Sequence, residues 1–166
     1  MIKHKIYARH SMVERADRLP ITLIKNCIRA SLDSEGVDMP CEVSVLITDD
    51  RVIREINLEY RGIDKPTDVL SFPMVNFSLP GWDNTALDAA DPETGLTPLG
   101  EIVISAQRVA AQAIEYNQTP ERELMYLTIH SVLHLLGYDH ADEAEGKKKM
   151  RKREEQIMHE MGIQND

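Results

Sequence analysis

Three histidines stand in the stretch His130-Ser131-Val132-Leu133-His134-Leu135-Leu136-Gly137-Tyr138-Asp139-His140, at i, i+4 and i+10, among leucines that would otherwise be core. On a helix, with about 100° and about 1.5 Å per residue, His130 and His134 lie roughly 40° apart on one face and one turn apart along it. Two imidazoles so placed grip one ion. Gly137 offers the left-handed conformation that ends helices, so the chain turns back and brings His140 beside the first two. A lone histidine on an apolar face is ordinarily a hydrogen-bonded core residue, and a bare H-x-x-x-H arises often by chance. The third histidine, the intervening glycine and the rigid apolar filler single this stretch out as a metal site with His130, His134 and His140 as ligands. Three neutral nitrogens suit zinc or a neighbouring late transition metal, and they leave a tetrahedral ion one open position, the mark of a catalytic site.

The same offsets of histidine and glycine occur in the metzincin proteases, H-E-x-x-H-x-x-G-x-x-H. Where those enzymes carry the glutamate that serves as general base, this chain has Ser131, which takes no proton near neutral pH. The metal cage is kept without the peptidase's base.

A second candidate lies in Tyr60-Arg61-Gly62-Ile63-Asp64-Lys65-Pro66-Thr67-Asp68-Val69-Leu70-Ser71-Phe72-Pro73, a turn-rich charged stretch running into a short apolar strand, Val69 to Phe72. A loop arginine beside glycine and proline is often only surface. Arg61 gains a role if the strand carries it towards the metal, where a guanidinium clamps a phosphate bidentately. Six of the seven residues from Lys147 to Arg153 are basic, which reads either as an RNA-facing patch or as a solvated helix face flanked by Glu154 and Glu155.

The elements that must position these residues follow from periodicity. Lys3 to Arg9 alternates weakly as a short strand. Leu19-Pro20 opens a helix with Ile21, Ile24, Ile28 and Leu32 inward, closed by Asp33 to Gly36. Cys41 to Thr48 alternates as a strand through Val43, Val45 and Ile47. Thr48, Asp49 or Asp50 caps the next helix, which runs through Tyr60 on Val52, Ile53, Ile56 and Leu58. Asn76 to Leu99 is dense in Gly, Pro, Asn and Asp and reads as a long loop, expected to be mobile or to close over substrate, with Trp82 packing down or offering a stacking platform. Gly100 to Ser105 is a strand that leads into a helix from Ala106 to about Asn117. Thr119 at the cap and Pro120 at the first helical position open the histidine helix, which is apolar nearly all round and hence central. A last helix runs from about Asp142 to Met161.

The 166 residues suffice for one domain with a real core, taken here as residues 1–166. No apolar run has signal-peptide or membrane-spanning length, which predicts a soluble, cytoplasmic protein with no membrane partner. Cys27 and Cys41 sit in apolar-periodic segments and read as reduced, buried thiols. The net charge of −9 argues against coating nucleic acid over a broad surface, though local basic clusters remain available.

Three motifs taken in order, Arg61 to Pro73, Leu99-Gly100-Glu101-Ile102-Val103-Ile104-Ser105 and the histidine stretch, resemble the YbeY family, bacterial metal-dependent endoribonucleases of ribosomal RNA maturation; the likeness spans roughly Val43 to His140. The resemblance implies a single α/β domain of the α+β type, with a small mixed sheet of about four strands packed with about five helices, and one Zn2+ on a central helix held by His130, His134 and His140. It implies single-stranded RNA as substrate, processing of the 3′ end of 16S rRNA, and ribosome quality control, with the ribosome or its small subunit and ribosome-assembly proteins as partners. The family's arginine in R-G-x-D-K-P-T falls on Arg61, which makes it the catalytic candidate. Ser131 departs from the glycine usual after the first histidine, and Glu101 from a common aspartate; neither touches the ligand set.

A zinc ion lowers the pKa of its water to about 7 and polarises a phosphoryl oxygen, and Arg61 balances charge building on the phosphate. Attack by water and attack by the RNA 2′-hydroxyl both fit, and no residue stands out as general base; Asp139 reads as a turn residue or a support for the ligands. Two rival functions use the same cage: hydrolysis of amides or esters, and a ribosome-assembly factor whose zinc only holds the fold.

Overall fold

The computed structural model describes residues 2–139 and 144–163. Its elements in chain order are β1 (Lys5–His10), α1 (Ile21–Ser34), β2 (Cys41–Thr48), α2 (Asp50–Arg61), β3 (Val69–Pro73), β4 (Thr97–Ser105), α3 (Ala106–Glu115), α4 (Pro120–Leu135) and α5 (Ala144–Glu160), with 3-10 turns at Arg15–Asp17 and Asn84–Ala89. The four strands form one sheet in the order β1-β2-β4-β3, the first three parallel and β3 antiparallel along the edge. This is the expected small mixed sheet with five helices. No helix of the described residues is long and apolar enough to cross a membrane.

Alternation in the strands sorts the two faces. Val43, Val45, Ile47, Ile102 and Ile104 pack into the main core with Ile24, Ile28 and Leu32 of α1 and Leu124, Val132 and Leu133 of α4. On the other face α2 covers part of the sheet through Ile53, set against Leu70 and Val103. Cys27 and Cys41 are free and fully buried in the main core, where burial pushes both thiols up to about 12, the inert state expected of structural cysteines.

The helix ends obey their local chemistry. Among the three cap candidates of α2, Asp49 does the work: its Oδ1 accepts from the Val52 amide at 2.9 Å. Gly62, at φ 70°, stops α2 immediately after Arg61. Thr119 caps α4 through Oγ1 and the Arg122 amide at 3.1 Å, with Pro120 at the first position as expected. Helix α4 packs against α1, α3, α5 and β3, so it is the central element.

One boundary and the packing of one long segment differ from what the sequence suggests. Strand β4 begins at Thr97, inside the stretch expected to be loop, because Thr97 and Leu99 are fully buried against β2. Pro98 and Gly100 signal turns in sequence, yet a register shift between Glu42 and Val43 lets β2 pair with Pro98 and then with Gly100, so a bulge absorbs both. The rest of the stretch packs onto the body of the fold and does not line the groove of His130 and His134. Phe77 and Ala86 are buried, as is Val75 just before them; the Gly81 amide donates to the Leu136 carbonyl at 2.9 Å, and Trp82 packs on Phe77 while its indole N–H donates to Asp38 at 2.8 Å. The tryptophan is an anchor rather than a platform.

Candidate metal centre

His130 and His134 leave α4 on the one arc its apolar neighbours do not seal. Their rings meet edge to face, centroids 4.6 Å apart, and the two Nε2 atoms converge to 3.0 Å. Two nitrogens each about 2.0–2.1 Å from a tetrahedral ion stand about 3.3 Å apart, so the observed spacing is close to that of two ligands of one zinc. The pair therefore needs little rearrangement to hold an ion.

The tautomer is set from behind. Nδ1 of His130 lies 2.8 Å from Oε2 of Glu154 on α5, and the glutamate is buried. A carboxylate has only lone pairs to offer, so Nδ1 carries the hydrogen and Nε2 presents a bare lone pair towards His134. A ligating histidine whose second nitrogen donates to a carboxylate is the usual support of a metal site. Tyr126 completes this support: its ring stacks on His130, centroids 5.8 Å apart and 28° between planes, and burial with Glu154 beside it raises the phenol well above its ordinary range. The donors present thus fit a zinc-type ion. Of the third expected ligand nothing is described, because His140 lies outside the described residues; among those residues no group of three or more His, Cys, Asp or Glu side chains gathers as an ion cage.

Glycine makes the turn that follows. Gly137, at φ 93°, ends α4 with its amide donating to the His134 carbonyl at 3.1 Å and the Tyr138 amide donating to the Leu133 carbonyl at 3.0 Å. This left-handed reversal swings the chain back so that Asp139 lines the same groove as the two histidines.

That groove, of about 780 Å³, runs between the end of α2, the edge strand β3 and α4, and its polar lining includes Arg61, Asp68, Ser71, His130, His134 and Asp139. Arg61, the exposed last residue of α2, shares this groove with the histidines. Asn57 secures the return from α2 by donating from Nδ2 to the Lys65 carbonyl at 2.9 Å. Ser131 is fully buried and does not reach the groove, so nothing replaces the peptidase's glutamate at that position. Glu101 is exposed on the open sheet face and is likewise absent from the groove.

Residues that sequence reasoning passed over surround the pair. Glu154 was read as a solvated flank of the basic run, although it falls at helical spacing with buried Met150, Ile157 and Met158. Asp68 accepts from the Val69 amide at 2.7 Å and from Gln112 Nε2 at 3.3 Å; Gln112 also donates to Glu123 at 2.8 Å, and Gln118 donates to the other oxygen of Glu123. Burial raises the pKa of Glu123 above the usual carboxylate range and the charge of Asp68 adds to it, against the two glutamine hydrogen bonds. No motif announced this chain of carboxylates and amides, because it joins three separate elements.

The family model described as endoribonuclease YbeY matches residues 8–162. Among similar proteins, an endoribonuclease YbeY of Caldanaerobacter subterraneus subsp. tengcongensis is 46% identical over 141 residues, covering 85% of this chain and 87% of its own. One from Acetivibrio thermocellus is 41% identical over 155 residues, covering 90% and 94%. The solution structure of TM1509 from Thermotoga maritima superposes with a TM-score of 0.55 at 27% identity, covering 94% of this chain and 91% of that one. A family match over nearly the whole length, carried by relatives above 40% identity and joined to a histidine pair in a groove with Arg61, leads to one conclusion: the chain belongs to the YbeY endoribonuclease family.

Proposed function

We propose that this YbeY-family endoribonuclease cuts single-stranded RNA at one zinc ion held by His130, His134 and His140, with Arg61 against the phosphate. Its work in the cell is processing of the 3′ end of 16S rRNA and ribosome quality control in the cytoplasm. The small subunit and ribosome-assembly proteins are its partners, and residues 1–166 act as one domain. The observation that carries the metal-centred part is the convergence of two imidazole Nε2 atoms to 3.0 Å with His130 braced by Glu154.

A bound zinc ion would supply a Lewis acid for a phosphoryl oxygen and a water of lowered pKa. The chain's own residues do the rest. Glu154 holds His130 in one tautomer and one orientation. Arg61 presents a planar fork to the non-bridging oxygens, a contact that strengthens as negative charge builds on the phosphate. Among the described residues β3 is an edge strand whose residues line the groove, a place where an extended strand of RNA can lie.

Purified protein incubated with single-stranded RNA and with a peptide mixture tests this reading. Zinc-dependent cleavage of RNA alone is expected, together with sharp loss of metal in His134→Ala by elemental analysis. Peptide cleavage with RNA left whole would reverse the assignment. Stoichiometric zinc in His134→Ala would show that the ligand set is wrong. A chelated protein that stays folded and ribosome-bound but loses RNA cleavage would exclude the assembly-factor reading, whereas unfolding on chelation with no RNA cleavage by the zinc-loaded protein would put that reading in its place.

A further inference from the structure

Neither the metal nor Arg61 accounts for the basic run of α5. In a chain of net charge −9 this one helix exposes Lys147, Lys148, Lys149, Arg151 and Lys152, while Arg153 turns inward to Glu35 and Ser34. At about 100° per residue, Lys147, Lys148 and Arg151 fall within one arc of about 100° next to the buried Met150 and Glu154; Lys149 and Lys152 lie farther round. The three line a groove of about 380 Å³ with Tyr126, His130 and Glu154. That groove shares His130, and no other residue, with the groove that holds Arg61.

Charge decides what the second groove takes. Its one carboxylate, Glu154, is buried and turned to His130. Among the described residues Lys147, Lys148 and Arg151 make no ion pair within 4.0 Å. Glu155, one turn beyond Arg151, lines the neighbouring groove, which Arg151 also borders but Lys147 and Lys148 do not. Tyr126, the one tyrosine of the lining, has one face stacked on His130.

We infer that Lys147, Lys148 and Arg151 form a subsite for the phosphates of single-stranded RNA flanking the cleaved bond, so that the strand enters by the groove of Arg61, crosses His130 and His134, and leaves along α5. This rests on the proposed reading that RNA is cut at the histidines. The subsite is electrostatic and blind to base identity, since lysine and arginine heads on an open groove read backbone charge. It supplies strand affinity, whereas Arg61 serves the reacting phosphate.

The test compares K147Q/K148Q with K149Q/K152Q, which removes the same charge from the same helix outside the groove. Steady-state cleavage of a single-stranded oligonucleotide by zinc-loaded protein should show KM raised about tenfold in K147Q/K148Q, with kcat and zinc content unchanged. The slope of log affinity against log salt should fall by about 1.4, at about 0.7 per lost phosphate contact on a single strand. K149Q/K152Q should change KM by less than about twofold. Equal losses in both variants would mean a diffuse field and no subsite, and an unchanged KM in K147Q/K148Q would overturn the inference outright. Equilibrium binding of the same oligonucleotide in an Arg61→Ala background separates the two levels. Wild-type protein that fails to cut RNA refutes the proposed function, whereas binding that ignores K147Q/K148Q refutes the subsite alone.

Discussion

Glu154 offers the sharpest test of the metal centre, because its whole effect passes through another residue. It lies 2.8 Å from His130 Nδ1, and the two side chains are only 9% and 20% exposed, so solvent screens their interaction little. Removing such a carboxylate partner of a ligating histidine costs roughly 10- to 100-fold in metal affinity, or about 1.4 to 2.8 kcal/mol at about 1.4 per decade. The two ends of that range are separable. Glu154→Gln keeps an acceptor oxygen in place and loses only the charge, so zinc affinity should drop about tenfold. Glu154→Leu leaves Nδ1–H without a partner and frees the ring to exchange tautomers, so the drop should approach a hundredfold. Competition with a chromophoric chelator measures both constants. The same substitutions should lower the pKa of Tyr126 towards its ordinary value, since Glu154 helps to raise it, and ultraviolet titration of the phenol reads this without any metal. A Glu154→Leu protein that binds zinc as tightly as wild type would refute the argument that Glu154 sets the ligand.

Three further outcomes follow from the same structure. Arg61 is exposed and makes no ion pair among the described residues, so Arg61→Ala should leave zinc content and Tm near wild type while slowing cleavage by about a hundredfold, with poor rescue by lysine; unfolding or zinc loss would make the residue structural. Gly100, at φ 147°, has no room for a Cβ, which would run into the Phe72 carbonyl oxygen and lie 2.8 Å from Leu135 Cδ2; Gly100→Ala should cost about 3 kcal/mol or more in chemical denaturation, and a loss under about 1 would contradict the packing. Burial holds the pKa of His4 below its ordinary value of about 6.5, against the pull of Asp33 and with help from Arg29. The unfolded chain then binds the proton first, so stability present above about 6.5 is lost as pH falls through the folded value; His4→Gln should flatten that slope in urea midpoints taken from pH 7.5 to 5, and an unchanged slope would clear His4 of the effect.

What could be read in advance was whatever repeats locally. The alternation of β2, the stripe of α1 and the Thr119-Pro120 start of α4 are each decided by neighbours within a turn or two, and the structure has them where the pattern put them. The i, i+4 histidines belong to the same class, since a helix alone brings them together. The meeting of Arg61 with that pair does not. It depends on β3 returning antiparallel along β4 and on α4 packing against β3, contacts that leave no period in the sequence. Glu154 was hidden for a different reason: a charge on an apolar stripe looks like an interruption until the partner that satisfies it is known. Pro98 and Gly100 misled because the same residues that punctuate turns also serve bulges inside strands.

The stretch from Val75 to Ala89 packs against the turn that ends the histidine helix. Its apolar residues are too scattered to suggest an element, yet they converge on the end of α4: the Gly81 amide binds the Leu136 carbonyl, and Phe77 lies so close to Gly137 that a Cβ there would stand 2.9 Å from its own. Leu136 and Gly137 are the residues at which the histidine helix stops and reverses. None of residues 76–96 lines the groove of His130 and His134. The segment therefore packs on the reversal that brings Asp139 to the groove and does not itself line that groove. A lid over an active site has to open for substrate and needs weak contacts, whereas a clamp on a ligand-bearing turn needs strong ones. The buried Phe77, the anchored Trp82 and the capped turn at Asp83 are features of a clamp, and the histidine pair stays open to the grooves on either side of His130.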